Sequence, residues 1–398
     1  MIYQTIGLLC LLVFVYSVTS AWVERKPVNG ALVYTAFGLL LGVSGLGLIH
    51  FDLKAESIRV IVEVTLAVVL FSDAAGTEVG VLKRNIGLPE RLLLIGLPLT
   101  ILLGVGVGIV LLDGLTLLEI AILATMLAPT DAALGKAVVS DPQVPGPIRQ
   151  GLNVESGLND GICVPVLLAF LALAQGAEEE GGFLTLMLRE IGLGVACGLG
   201  IAFLAARFLR LASARGWIDG TYRQLVMVSL ALVCFSTAQR VGGSGFIAAF
   251  AGGMFFGMMA KGHRKQMLEA ADATGDFLAM VTWTIFGAAV VGPALGSISW
   301  QVVLYALLSL TVIRMLPVAI ALVGTRLKPA EKLFMGWFGP RGLASIVFAM
   351  IVFDTDLPGG DTVVVAVICT VLLSVVLHCT TANSLIKVLT SASKKGGK

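Results

Sequence analysis

The sequence predicts an all-α integral membrane protein of about thirteen transmembrane helices, arranged as two inverted six-helix repeats with interrupted crossing helices at segments 5 and 12. Composition, the alternation of charge between loops, and two mid-span prolines beside charged residues predict it. Of the 398 residues 57% are hydrophobic and only 13% charged, with a mean hydropathy of +0.97. Soluble domains carry about 25% charged residues, so about half the usual solvated surface is missing. One crossing takes about 20 apolar residues, which leaves room for about a dozen crossings. The 47 glycines suit close helix approach in a bilayer. A net charge of +2 gives no sign of nucleic-acid binding. The cysteines (Cys10, Cys163, Cys197, Cys234, Cys369, Cys379) all lie in apolar stretches and read as packing residues, not disulfides or metal ligands.

The apolar segments run roughly 4–22, 30–49, 58–76, 92–112, 117–140, 149–174, 183–208, 222–240, 244–260, 269–292, 301–324, 331–353 and 361–388. Glu24, Arg25 and Lys26 follow the first run instead of preceding it, so this run is expected to be a retained helix and not a cleaved signal. With the N-terminus outside, 21 of the 27 Lys and Arg fall in cytoplasmic loops or the C-terminal tail. Examples are Arg25 and Lys26, Lys83 and Arg84, and Lys261, Arg264 and Lys265. Only Lys54, Arg59, Arg189 and Arg240 lie outside, where Glu178–Glu180, Asp354, Asp356 and Asp361 supply acid. Strict alternation obeys the positive-inside rule. It places the chain in a cell inner (plasma) membrane with a cytoplasmic C-terminus, and residues 391–398 as a short disordered tail.

Arg314 and Arg341 remain, both inside apolar segments. Segment 5 is broken at Ala128-Pro129-Thr130-Asp131, and segment 12 at Phe338-Gly339-Pro340-Arg341-Gly342. Proline removes a backbone donor and clashes with the preceding turn. Freed backbone groups are tolerated at membrane depth only where they are buried in protein or line a cavity. Ordinary kinks would explain either break alone. Their offset of seven segments is odd, so segments 1–6 and 8–13 fit inverted repeats around a linker, and matching breaks point to a midplane site. Asp131 and Arg341 can compensate the half-helix ends.

Segment 6 carries Asn153-Val154-Glu155-Ser156-Gly157-Leu158-Asn159-Asp160-Gly161. Glu155 with Asn159, and Ser156 with Asp160, are four apart and share one side of a helix. A charge at the bilayer centre costs at least ~2.5–3.5 kcal/mol, which argues against a mere structural polar knot. Oxygen ligands at this density suit a hard cation. Three deep acids (Asp131, Glu155, Asp160) face two arginines, so one carboxylate is left over. Burial favours its neutral form: it holds a proton or a cation and releases one when the other arrives. That is antiport chemistry, assigned to Asp160, with Ser156 as a neutral oxygen ligand.

These residues resemble the monovalent cation–proton antiporter superfamily and, within it, the sodium/proton exchanger branch that includes NhaP-type bacterial antiporters. Ala128-Pro129-Thr130-Asp131 is similar to the family's Thr-Asp motif. Val154–Gly161 resembles its Glu-Ser-x-x-Asn-Asp motif, and Gly339-Pro340-Arg341-Gly342 its Gly-x-Arg-Gly motif. The resemblance covers essentially the whole chain. It implies Na⁺ or K⁺ bound at Asp160, Ser156 and Thr130, a structural Glu155–Arg314 pair, and Arg341 beside Asp131 at the crossing. Asn159, in place of a second aspartate, implies the electroneutral branch with one cation per proton, Na⁺ favoured and K⁺/H⁺ exchange the alternative. It further implies a homodimer in membrane lipid and an elevator-like core. The single domain, 1–390, then divides into a dimerisation part (1–80 and 218–295), a linker helix (183–210) and an ion-transporting core (88–176 and 300–390). No cofactor is implied, since the ions are cargo, and regulation through a large cytoplasmic tail is not expected.

Asp73 departs from the family pattern: it stands one position away from where many relatives carry a glutamate, as a substitute ligand or a solvated helix end. Glu63 is undecided and Asp276 reads as a funnel or helix-start residue. His378 beside Cys379 reads as a packed or cytoplasm-facing histidine and not as a metal ligand. His263 lies in a basic loop with nothing to support a pH-sensing role. An intramembrane aspartyl protease is the distant alternative, through Asp131 and Asp160. It lacks the Gly-x-Gly-Asp context, and the arginines would spoil a shared proton. A cation channel lacks a repeated filter loop of backbone carbonyls.

Overall fold

The computed structural model describes residues 2–23, 28–51, 56–77, 87–131, 134–139, 141–176, 182–260, 264–353 and 355–395. All regular structure among them is helical. Arg25, Lys26, Lys54, Lys83, Arg84, Glu178–Glu180, Lys261, His263, Asp354 and Lys398 lie outside the described residues.

Each of the thirteen apolar segments contains helix. Eight stretches are long and apolar enough to cross a bilayer, from Tyr3–Val23 to Gly360–Ser391. Gly30–Leu41, Leu117–Met126, Gly245–Met259 and Leu343–Phe353 are shorter apolar helices. Segment 3, Glu56–Gly76, is helical but carries Glu56, Arg59, Glu63 and Asp73.

Several elements depart from the sequence-based edges for local reasons. Segment 2 stops at Leu41 and not near 49, because Gly42, Gly45 and Gly47 follow and Gly47 adopts φ +65°, a left-handed turn conformation. Segment 11 is two helices, Trp300–Leu310 and Val312–Ala321, joined at Thr311 with φ −112° and ψ −93°. Segments 4 and 10 contain π-helical stretches at Leu92–Gly96 and Phe286–Val291, which apolar periodicity does not reveal. Segment 13 runs to Lys395, past Ser391 where the disordered tail was expected; no glycine or proline interrupts it before Gly396.

The chain forms two compact units: residues 1–59, 85–159 and 280–398, and residues 60–84 and 160–279. In the first, segment 2 lies backbone to backbone against segment 10. A Cβ on Gly38 would fall on the Thr284 carbonyl, and one on Gly287 on the Thr35 carbonyl. In the second, helix Gly245–Met259 has glycine contacts on both sides. Gly252 meets the Gly198 backbone, while Gly253 and Gly257 meet the carbonyls of Phe71 and Ala75. Lipid offers apolar groups no reason to leave it, so this close van der Waals approach is what holds such helices together.

Gly253→Ala should therefore destabilise the detergent-solubilised protein by about 1–3 kcal/mol, the usual cost of overpacking. Gly200→Ala, whose Cβ would meet open space, should leave thermal melting unchanged or slightly raised. Equal melting of the two variants would refute the close-packing account.

Candidate functional site

The two interruptions meet inside the first unit. Helix Leu117–Met126 starts with a capping box: Thr116 caps the Glu119 amide, while Glu119 accepts from the Thr116 amide at 2.8 Å. Glu119 is 1% exposed and also accepts the Gly359 amide at 2.5 Å, tying the outset of segment 5 to the turn before segment 13. The sequence analysis did not single out Glu119, although Thr116-x-x-Glu119 is a legible capping signal.

Beyond Met126 the backbone leaves helical geometry, and segment 12 supplies its partners. Ser345 donates to the Met126 carbonyl at 2.7 Å. One guanidinium nitrogen of Arg341 donates to the carbonyls of Ala128 and Pro129 at 2.7 and 2.9 Å. A cation thus closes the C-terminal, partially negative end of the first half-helix. Asp131 reciprocates: one carboxylate oxygen accepts the Leu343 amide at 2.9 Å, at the start of helix Leu343–Phe353. Its amide donates to the Pro340 carbonyl at 2.8 Å. The glycines of Gly339-Pro340-Arg341-Gly342 have a steric reason. A Cβ on Gly342 would fall on the Asp131 carboxylate, and one on Gly339 against Arg314 and Thr130.

Thr130 leads from this crossing to segment 6, the unbroken helix Gly146–Ala174. Its hydroxyl lies 2.9 Å from that of Ser156 and accepts the Asn159 side-chain amide at 2.8 Å. All three residues are buried. The Asn159 carbonyl oxygen is buried with no hydrogen-bond partner among the described residues. Asp160 follows on the same helix, one turn beyond Ser156, and is 8% exposed. The next residue, Gly161, is covered by the Phe250 ring, which leaves no room for a Cβ.

Glu155 faces Arg314, the two being 2% exposed, in a bidentate pair at 2.5 and 2.8 Å. The backbone turn at Thr311 precedes Arg314 by three residues, placing it in the first turn of the second piece of segment 11. Asp73 is exposed near the end of helix Glu56–Gly76, and its neighbour Ser72 donates to Asp272 of segment 10, an acid the sequence analysis passed over. Glu63 is buried and Asp276 exposed. His378 is buried between Trp337 and Phe338, and no cluster of three metal-binding side chains occurs among the described residues. A cavity of about 670 Å³ in the first unit, lined by Phe286, Ile346, Ala349, Met350 and Ile368 with Asp113 and Asp361, does not include Thr130, Ser156 or Asn159 in its wall.

Residues 10–388 match the family model described as "Sodium/hydrogen exchanger, transmembrane". The chain is 25% identical over 346 residues to the K⁺/H⁺ antiporter NhaP2 of Shewanella oneidensis, covering 85% of this chain and 58% of that protein. It is 27% identical over 276 residues to Na⁺/H⁺ antiporter 2 of Zygosaccharomyces rouxii, covering 62% of this chain and 32% of that protein. It therefore spans little more than half the length of the former and a third of the latter. In three dimensions it resembles the sodium proton antiporter MjNhaP1 of Methanocaldococcus jannaschii at pH 8, with a TM-score of 0.79, 21% identity, and coverage of 98% of this chain and 99% of that one. At that identity the likeness concerns the fold: an all-α, multi-pass membrane protein with two interrupted crossing helices.

Arg314→Ala leaves Glu155 as a buried, uncompensated carboxylate and should cost about 3–5 kcal/mol of stability. Replacing both partners by leucine should recover most of it. Unchanged melting of Arg314→Ala would show that the pair carries no such weight.

Proposed function

The chain belongs to the sodium/hydrogen exchanger transmembrane family, and on that premise we propose that it is an electroneutral antiporter exchanging one monovalent cation, Na⁺ in preference to K⁺, for one proton. The observation that carries this reading is the buried oxygen cluster that Thr130, in the segment 5 break, forms with Ser156 and Asn159 on the helix turn that leads into Asp160. Hard monovalent cations take oxygen ligands, and here two hydroxyls and an amide carbonyl lie on or beside the helix that carries Asp160. Glu155 is already neutralised by Arg314 and Asp131 is engaged with the segment 12 amide. We take Asp160, buried one turn beyond Ser156, as the carboxylate contested by proton and cation. One titrating group exchanges charge for charge. Asn159 supplies an oxygen without a second charge, and Asp73 serves as an accessory acid on segment 3.

The same reading takes residues 88–176 and 300–390 as a moving core, residues 1–80 and 218–295 as the part that pairs in a homodimer, and 183–210 as the linker. The protein then resides in the inner membrane with its N-terminus outside. Exchange of K⁺ is the second reading, favoured by the names of the Shewanella relatives.

The test is exchange in proteoliposomes with Na⁺ and K⁺ supplied separately, with and without an imposed voltage. Na⁺-driven proton movement unaffected by voltage is expected, and Asp160→Asn should reduce it to the level of empty vesicles. Normal exchange by that variant would remove Asp160 from the site; a voltage-dependent rate would exclude one-for-one stoichiometry.

A further inference from the structure

Among the buried polar residues of segment 13 that the transport reading leaves unused are Ser374 and His378, at 0% and 3% exposure. Both address the break in segment 12 from one side of the helix Gly360–Lys395. The amide of Arg341 donates to the Ser374 hydroxyl at 2.7 Å. The other side of the break ends at Trp337, the last residue of helix Pro329–Trp337, and its carbonyl lies 2.9 Å from His378 Nε2. The ring is fixed by Trp337, with centroids 5.4 Å apart, and by Phe338.

Each ring nitrogen of His378 faces an acceptor: Nε2 the Trp337 carbonyl, and Nδ1 the Ser374 carbonyl at 2.8 Å, with the Ser374 hydroxyl 3.2 Å away. Protonated at Nε2, the ring donates to the Trp337 carbonyl, while Nδ1 can accept from the Ser374 hydroxyl, whose oxygen receives the Arg341 amide.

We infer that His378 and Ser374 are positioning residues for cation binding: from segment 13 they clamp both lips of the segment 12 break and so set where Arg341 meets segment 5. The path is short and made of contacts. His378 and Ser374 fix Trp337 and the Arg341 backbone, and Arg341 donates to the carbonyls of Ala128 and Pro129. The following residue, Thr130, holds Ser156 and Asn159. A slack clamp shifts the Thr130 hydroxyl and weakens cation binding without touching a ligand. This inference rests on the antiport reading for its ion.

The experiment measures the dependence of exchange on cation concentration in proteoliposomes, alongside melting of the same preparations. His378→Phe keeps the ring packing and removes both nitrogens. It is expected to raise the KM for the cation about fivefold, the factor one lost hydrogen bond can supply, with Vmax within about twofold. His378→Gln, whose amide can still donate to the Trp337 carbonyl, should return KM close to wild type. Ser374→Ala should raise KM in the same direction, and the double variant Ser374→Ala/His378→Phe should fall short of the product of the two single effects, because both act on one break. A wild-type KM in His378→Phe, or a His378→Gln as impaired as His378→Phe, overturns the inference. If His378→Phe does not fold, Ser374→Ala decides by the same criterion. If the wild-type protein moves no cation, the antiport reading itself has failed. The clamp is then judged by melting alone: His378→Phe must melt below both wild type and His378→Gln, and equal melting overturns it.

Discussion

Everything near the candidate site depends on one constraint: a backbone that leaves helical geometry among apolar helices must find its hydrogen bonds elsewhere in the protein. Segments 5 and 12 meet it mutually. Arg341 serves the carbonyls of Ala128 and Pro129, Asp131 serves the Leu343 amide, Ser345 serves Met126, and Ser374 with His378 serves the far side. Once these bonds are made, the charges are committed to holding peptide groups. Beside them lie the buried side chains of Thr130, Ser156 and Asn159, joined to one another by hydrogen bonds through the Thr130 hydroxyl.

The Glu155–Arg314 pair works beside this crossing in a different way. Burial makes each charge costly alone, and bidentate geometry offsets the cost. The pair fixes the Glu155 carboxylate one residue before Ser156 on the same helix. Gly339 lies against both Arg314 and Thr130, so the pair and the crossing share a wall; a bulkier residue there would disturb both.

Much of this was legible in the sequence, and for identifiable reasons. Charged residues in an apolar background are conspicuous, so Asp131, Glu155, Asp160, Arg314 and Arg341 stood out by contrast alone, and proline marked both breaks. The family match of residues 10–388 agrees with the family those residues resemble, and the fold likeness with the all-α membrane fold inferred from them. Hidden features were those whose meaning arises only in three dimensions. Ser374 and Ser345 look like ordinary small helix residues until the break they satisfy lies beside them. His378 was read as a packed or cytoplasm-facing histidine; its ring packs, but its Nε2 reaches a carbonyl 41 residues away. Glu119 was passed over, and its second partner, Gly359, is 240 positions distant. The π-helical turns and the bend at Thr311 left no trace in hydropathy, since an extra residue in a turn barely alters an apolar run.

The reciprocity of the crossing also sets an order of events in biosynthesis. The carbonyls of Ala128 and Pro129 receive the Arg341 guanidinium from 213 and 212 residues further along the chain. A ribosome has to deliver six more membrane segments before that donor exists. Until then the carbonyls of Ala128 and Pro129 lack that donor, and Asp131 lacks the Leu343 amide. A chain stalled short of residue 341 lacks the donor that those two carbonyls have in the folded protein.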